Sequence, residues 1–120
     1  MGFKKGYFEI VKYLIENGVD VNAKKDGGTT ALHYASQNGH LEMVKCLVVN
    51  GADANAKDWD KTALIYATNN GHFEVVKCLV KNGANVNEKD WTKSETALYY
   101  ASRNGYTEIV KFLIANGASQ

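Results

Sequence analysis

No proline occurs in the 120 residues, and cysteine occurs only twice. Without proline there can be no proline-rich linker and no polyproline recognition segment. Two cysteines, Cys46 and Cys78, are too few for the disulfide framework of a small secreted domain and fit a reducing, cytoplasmic compartment. Neither sign of charge prevails: 14 basic against 13 acidic residues leave a net charge of +1. Such a balance offers no field for nucleic acid or for an anionic membrane surface. Long apolar runs are missing too. The longest, at 63–67 and 97–101, are five residues, far short of a membrane span. Residues 1–6 carry no signal-peptide apolar region.

Glycine is what the chain has instead, and seven of its eleven glycines follow asparagine, at 18, 39, 51, 71, 83, 105 and 117. Asn-Gly between strands would signal a hairpin. Here the flanking period is helical, because Leu41, Val44, Leu47 and Val48 share one helix face. These glycines therefore read as helix stops, supplying the left-handed residue that a C-terminal cap needs.

Their spacing implies an architecture. Gly6, Gly39, Gly71 and Gly105 stand 33, 32 and 34 residues apart, and Gly18, Gly51, Gly83 and Gly117 repeat those intervals. Thr30, Thr62 and Thr96 each precede the next such glycine by nine residues. The length differences lie between Asn22 and Thr30, Asn55 and Thr62, and Asn87 and Thr96, at eight, seven and nine residues. Rigid helical blocks alternating with elastic loops make a stacked repeat protein. Each threonine is an N-cap opening a short first helix. Second helices are expected at 41–49, 73–81 and 107–115, with an equivalent at 8–16. The chain is thus one domain, divided as a partial repeat, 1–24, and repeats 25–57, 58–89 and 90–120.

Thr30-Ala31-Leu32-His33-Tyr34-Ala35, followed by Asn38-Gly39-His40-Leu41-Glu42-Met43-Val44-Lys45 and Asn50-Gly51-Ala52-Asp53-Ala54-Asn55-Ala56-Lys57, resembles an ankyrin repeat. The resemblance implies an all-α ankyrin-repeat solenoid of stacked helix–turn–helix units with β-hairpin finger loops. Ala31, Ala63 and Ala97 replace the proline of the family motif, and the motif histidine survives only as His33, with Ile65 and Tyr99 in its place. In the family this histidine ties neighbouring loops, so the later repeats are expected to lose that tie. Asn22, Asn55 and Asn87 are expected to organise the turns at the loop entrances.

Several residue groups invite chemical readings. His40 and His72 share one repeat position and Cys46 and Cys78 another. Stacked helices stand about 8–10 Å apart, too far for a strain-free disulfide, and no zinc-type spacing occurs. The cysteines read as core fillers and the histidines as structural. Glu9–Lys12, Glu42–Lys45, Glu74–Lys77 and Glu108–Lys111 recur once per repeat, as weak ion pairs on a solvated face rather than catalytic acids. No nucleophile elbow, phosphate loop or metal motif is present. Neither enzyme activity nor a cofactor is expected.

The fingers differ from one another. Asp26-Gly27-Gly28-Thr29, Trp59-Asp60-Lys61 and Trp91-Thr92-Lys93-Ser94-Glu95 occupy corresponding places. Two tryptophans in neighbouring loops suggest an aromatic contact surface; the alternative, that each indole folds onto its own or an adjacent finger, stays open. By the resemblance, fingers and first helices line a concave binding face. This places Trp59, Asp60, Lys61, Asn69, Trp91, Lys93 and Arg103 on the candidate partner-binding surface. Tyr34, Tyr66 and Tyr100 share a register and read as packing between repeats.

The leading expectation is a non-catalytic protein–protein interaction module, with a protein rather than nucleic acid or membrane as partner. The alternative is a structural or engineered segment of a repeat array without a dedicated partner. Phe3, Tyr7 and Phe8 at one end and Ile109, Val110, Phe112, Leu113 and Ile114 at the other look uncapped, which suggests head-to-tail self-association.

Overall fold

The computed structural model describes residues 2–120, with side chains from Phe8 onward. Helix α1 (Gly2–Glu16) is followed by three helix pairs: α2 (Ala31–Gln37) with α3 (Leu41–Val49), α4 (Ala63–Asn69) with α5 (Phe73–Lys81), and α6 (Ala97–Arg103) with α7 (Thr107–Ala115). The short helices α2, α4 and α6 pack side by side in one layer, and α1, α3, α5 and α7 form the other. The result is an all-α stack.

Local chemistry sets these boundaries. The Thr30, Thr62 and Thr96 hydroxyls accept hydrogen bonds from the backbone N–H of His33, Ile65 and Tyr99, opening the three short helices as N-caps. The long helices α3, α5 and α7 are closed by asparagine. The side-chain amides of Asn50, Asn82 and Asn116 each donate to a last-turn carbonyl, of Cys46, Cys78 and Phe112, at 2.8 Å. The glycine that follows then turns the chain out of the helix.

At Gly39 and Gly71 the glycine has a second purpose. Both have φ near +74°, a region costly for residues with a Cβ. A Cβ on Gly39 would meet the His72 ring at 2.7 Å, and one on Gly71 would meet the Tyr106 ring at 3.0 Å. The bare backbone is where the ring of the next pair sits. His72 Nε2 also lies 3.0 Å from the Gln37 carbonyl, so this histidine is structural.

Gly6 departs from its expected role. It was placed in register with Gly39, yet α1 runs unbroken from Gly2 to Glu16, beyond the expected 8–16. Gly6 follows lysine, so it lacks the asparagine whose side chain satisfies the ending carbonyl elsewhere. The side chains of Phe3 and Tyr7 lie outside the described residues.

The core forms where the pairs meet. Ala35, Ala67 and Ala101 are wholly buried, and their small size lets α2, α4 and α6 approach closely. Leu47, Leu79 and Leu113 occupy one register in the other layer and are also buried. Full burial of each leucine is worth about 1.5–3 kcal/mol. Leu14, at the same register of α1, is 43% exposed, as are Ile10 and Tyr13 to larger extents. Among the described residues no short helix pairs with α1 over that face. The opposite end differs from expectation. Ile109 and Leu113 are buried, Val110 and Phe112 partly so, and of these five only Ile114 counts as exposed.

Cys46 and Cys78 are unpaired and half-buried, and burial pushes the Cys78 thiol above its usual range. Of the four repeated Glu–Lys pairs, Glu42–Lys45 (3.8 Å) and Glu74–Lys77 (3.0 Å) are close enough to count as ion pairs among the described residues.

Comparing two alanine substitutions tests the second purpose of Gly39. Gly39→Ala and Gly51→Ala share the cost of a left-handed alanine, about 1–2 kcal/mol, but nothing lies within 4 Å of a Cβ at Gly51. Urea denaturation should show Gly39→Ala to be the more destabilised. Equal losses would mean that His72 yields freely.

Candidate functional site

The loops between helix pairs are held by two sets of hydrogen bonds. The first runs along the edge of the stack. Asn22 Nδ2 donates to the Gly51 carbonyl (3.0 Å), while Asn22 Oδ1 accepts from the Asp53 N–H (2.7 Å). Asn55 makes the same two bonds to Gly83 and Asn85, and Asn87 makes them to Gly117 and Ser119. Each asparagine therefore clamps the following unit, a larger role than the local turn expected of it.

The second set shapes the fingers. Single antiparallel bridges pair Lys57 with Thr62 and Lys89 with Thr96, and the first finger instead makes a 3₁₀ turn at Asp26–Gly28. Asp58 Oδ1 accepts from the backbone N–H of Asp60 (2.8 Å) and Lys61 (2.7 Å), and Asp58 Oδ2 accepts from the Tyr66 hydroxyl. Asp90 repeats this with the N–H groups of Lys93 and Glu95 and the hydroxyl of Tyr100. Burial, then the aspartate bond, raises both tyrosine pKa values well above the ordinary phenol range. Tyr66 and Tyr100 are thus finger anchors, and the Tyr66 ring also packs edge-on against His33 of the preceding repeat, with centroids 5.9 Å apart, whereas Tyr34 is exposed.

His33 makes the expected loop tie, with Nε2 lying 3.0 Å from the Ala56 carbonyl. Its burial lowers its pKa. The later units lack that histidine but are not left untied, because the fingers contact one another directly. Trp59 N–H donates to the Gly27 carbonyl (2.6 Å), and Trp91 N–H reaches the Asp60 carbonyl (3.1 Å). The third finger absorbs its extra length through Ser94, whose φ is 57°.

The seven residues expected on the partner-binding surface fall into three environments, with Lys61 and Asn69 half-buried between the exposed and the buried ones. Trp59 and Trp91 are 60% and 65% exposed, and Lys93 and Arg103 are exposed as well. Each indole leans on the preceding finger while keeping most of its surface in water. Trp59 Cδ1 lies 3.3 Å from where a Cβ on Gly27 would stand, and Lys57 Nζ sits 4.9 Å from the Trp91 ring centre. Arg103 lies over Tyr99 and Tyr100 at 5.6 and 5.1 Å. Asn69 is half-buried and accepts a bond from Asn104 Nδ2 at 3.1 Å.

Asp60 is different: at 2% exposure it lies beneath the surface rather than on it. Its Oδ1 accepts from Trp91 N–H, Thr92 N–H and the Thr92 hydroxyl at 3.0–3.1 Å, and its Oδ2 pairs with Lys61 Nζ at 2.6 Å. Burial alone would raise its pKa, but Lys61 and the Thr92 bonds outweigh it and hold the carboxyl at about 2. Asp60 cannot meet a partner directly. It sets the finger that carries Trp91. Asp58, Asp90 and the two anchoring tyrosines were absent from the sequence-based selection; the shared Asp and Tyr registers were the available signal.

Ankyrin repeats are matched along the chain, as "Ankyrin repeats (3 copies)" over residues 42–120 and as "Ankyrin repeats (many copies)" over residues 1–48. The chain belongs to the ankyrin repeat family. No curated protein matches it. Ankyrin repeats are in general protein–protein interaction modules. None of the described helices is long and apolar enough to cross a membrane.

The Asp60 environment predicts an acid sensitivity. Its folded pKa of about 2 lies below the ordinary aspartate value of 3.8. The unfolded chain therefore binds more protons in that interval, and stability falls as pH drops from about 4 to about 2. The carboxylate's contribution, about 2 kcal/mol, is fully present at neutral pH. Asp90, also lowered, acts in the same direction. Urea titrations at pH 6, 4, 3 and 2 should give Asp60→Asn a lower stability at pH 6 and a flatter acid limb than the parent.

Proposed function

We propose that this ankyrin repeat chain is a non-catalytic module that binds a partner protein on the concave face formed by its fingers and first helices. The observation carrying this reading is the exposure of Trp59 and Trp91 on adjoining fingers whose backbones are hydrogen-bonded together. Large aromatic surface held on a rigid frame is the usual material of a binding hot spot. Lys93 and Arg103 are exposed and add positive charge on the third finger and α6, Lys61 and Asn69 are half-buried on the second finger and α4, and Asp60 supports the Trp91 finger from below. The titratable groups with shifted pKa values at this face are engaged in holding fingers, which favours recognition over catalysis. Two unpaired cysteines favour a cytoplasmic setting. The working units are the partial repeat 1–24 and repeats 25–57, 58–89 and 90–120.

The exposed Ile10–Tyr13–Leu14 stripe supports an additional reading, self-association end to end through α1. Light scattering over a wide concentration range should show a rising mass that Ile10→Lys/Leu14→Lys removes. A strictly monomeric chain at high concentration would reject this association.

The docking reading is tested by selecting binders from a displayed library of folded protein domains. Trp59→Ala/Trp91→Ala should weaken each selected binder by about 30-fold or more, equivalent to about 2 kcal/mol. Iodide should quench both indoles in the free chain and less so in the complex. Binders indifferent to both substitutions would overturn the reading.

A further inference from the structure

The three fingers share a backbone register but not its chemistry. The residue three positions after each clamping asparagine is Lys25, Asp58 or Asp90. In every finger its N–H donates to the carbonyl just before the capping threonine, that of Thr29 (2.8 Å), Lys61 (3.0 Å) or Glu95 (2.9 Å). The three positions are therefore structurally equivalent. In the second and third fingers the aspartate carboxylate occupies the space beneath the loop and takes the hydroxyl of Tyr66 or Tyr100.

The first finger has the tyrosine without the carboxylate. Lys25 stands at the aspartate position, and Tyr34 is 63% exposed. Its hydroxyl makes no hydrogen bond among the described residues. Lys25, Asp26, Thr29 and Tyr34 line an open groove there. Lys25 has no acidic side chain within ion-pair distance among the described residues. Asp26 opposes an incoming anion, but the consecutive Lys24 and Lys25 outnumber it.

We propose that this groove binds a carboxylate of a partner, an aspartate or glutamate side chain in an acidic protein segment. The incoming group takes the place that Asp58 and Asp90 hold in the other fingers. Tyr34 donates its hydroxyl to it, as Tyr66 and Tyr100 do internally, and the Lys25 ammonium supplies the opposite charge. The subsite adjoins the aromatic surface, since Trp59 rests against Gly27 of this same finger. A segment bound here with an apolar residue beside its acid meets carboxylate chemistry and an indole together. The proposal rests on the docking reading of this face and names part of its specificity.

The test is an amide NMR titration of the full chain with a short acetylated peptide, Gly-Leu-Glu-Glu-Leu-Gly-amide, and its Glu→Gln counterpart. The acidic peptide should shift the amides of the first finger and the ring signals of Tyr34. The Gln peptide should bind about 10-fold or more weakly. Tyr34→Phe, which removes only a hydroxyl, should weaken the acidic peptide about 3-fold or more. Lys25→Asp copies the other two fingers, so it should fill the groove with an internal carboxylate and weaken the peptide about 10-fold or more. If Lys25→Asp fails to fold, Tyr34→Phe and the Gln peptide decide. Equal binding of both peptides, or no shift at the first finger, would overturn the subsite. Neither result touches the docking reading, which stands or falls on Trp59 and Trp91.

Discussion

Leu47, Leu79 and Leu113 lose their contact with water because helices pack over them, whereas Leu14, at the same register of α1 and with no short helix over it among the described residues, is 43% exposed. That contrast shows the constraint under which the chain folds. A long helix needs both its own short partner and the neighbouring pair to hide its apolar face, so stability comes from the stack rather than from any single helix. The alanines of the short helices serve the same end, since larger residues would hold α2, α4 and α6 apart.

Apolar burial has no direction, and slipping one pair along the next would cost it little. The asparagine clamps supply the direction. Asn22, Asn55 and Asn87 each present a carbonyl and an amide that fit a carbonyl and an N–H on the following unit. His72 over Gly39 and Tyr106 over Gly71 add a steric key at the other edge. The spacing between units is therefore reproducible, and the fingers that project from them stand in a fixed row.

On that row, buried acids position the exposed aromatics. Asp58 and Asp90 tie their loops to Tyr66 and Tyr100, and Asp60 gathers the Trp91–Thr92 segment of the next finger. A loop held this way loses little freedom when a partner arrives, which favours tight binding. The first finger lacks the acid anchor, so its tyrosine is free to work outward. One repeated register thereby holds an anchored tyrosine in two fingers and an exposed one in the first.

Much of the fold was legible in the residues because its signals are local. Threonine caps, Asn-Gly stops and helical periodicity place α3, α5 and α7 at their observed bounds, since capping and handedness act within a few residues. Gly6 lacks the preceding asparagine, and there the glycine register alone misled. Trp59 and Trp91 stood out because a stacked fold does not require tryptophan at a loop tip, but whether each indole faced water or folded onto a finger was settled only by the packing of the loops. The burial of Asp60, the reach of Asn55 to Gly83, and the unlike fates of Tyr34 and Tyr66 were decided only in the assembled stack. Their partners or their cover come from loops and units brought together by folding, and the free energy of a buried charge or an exposed ring depends on what those neighbours provide.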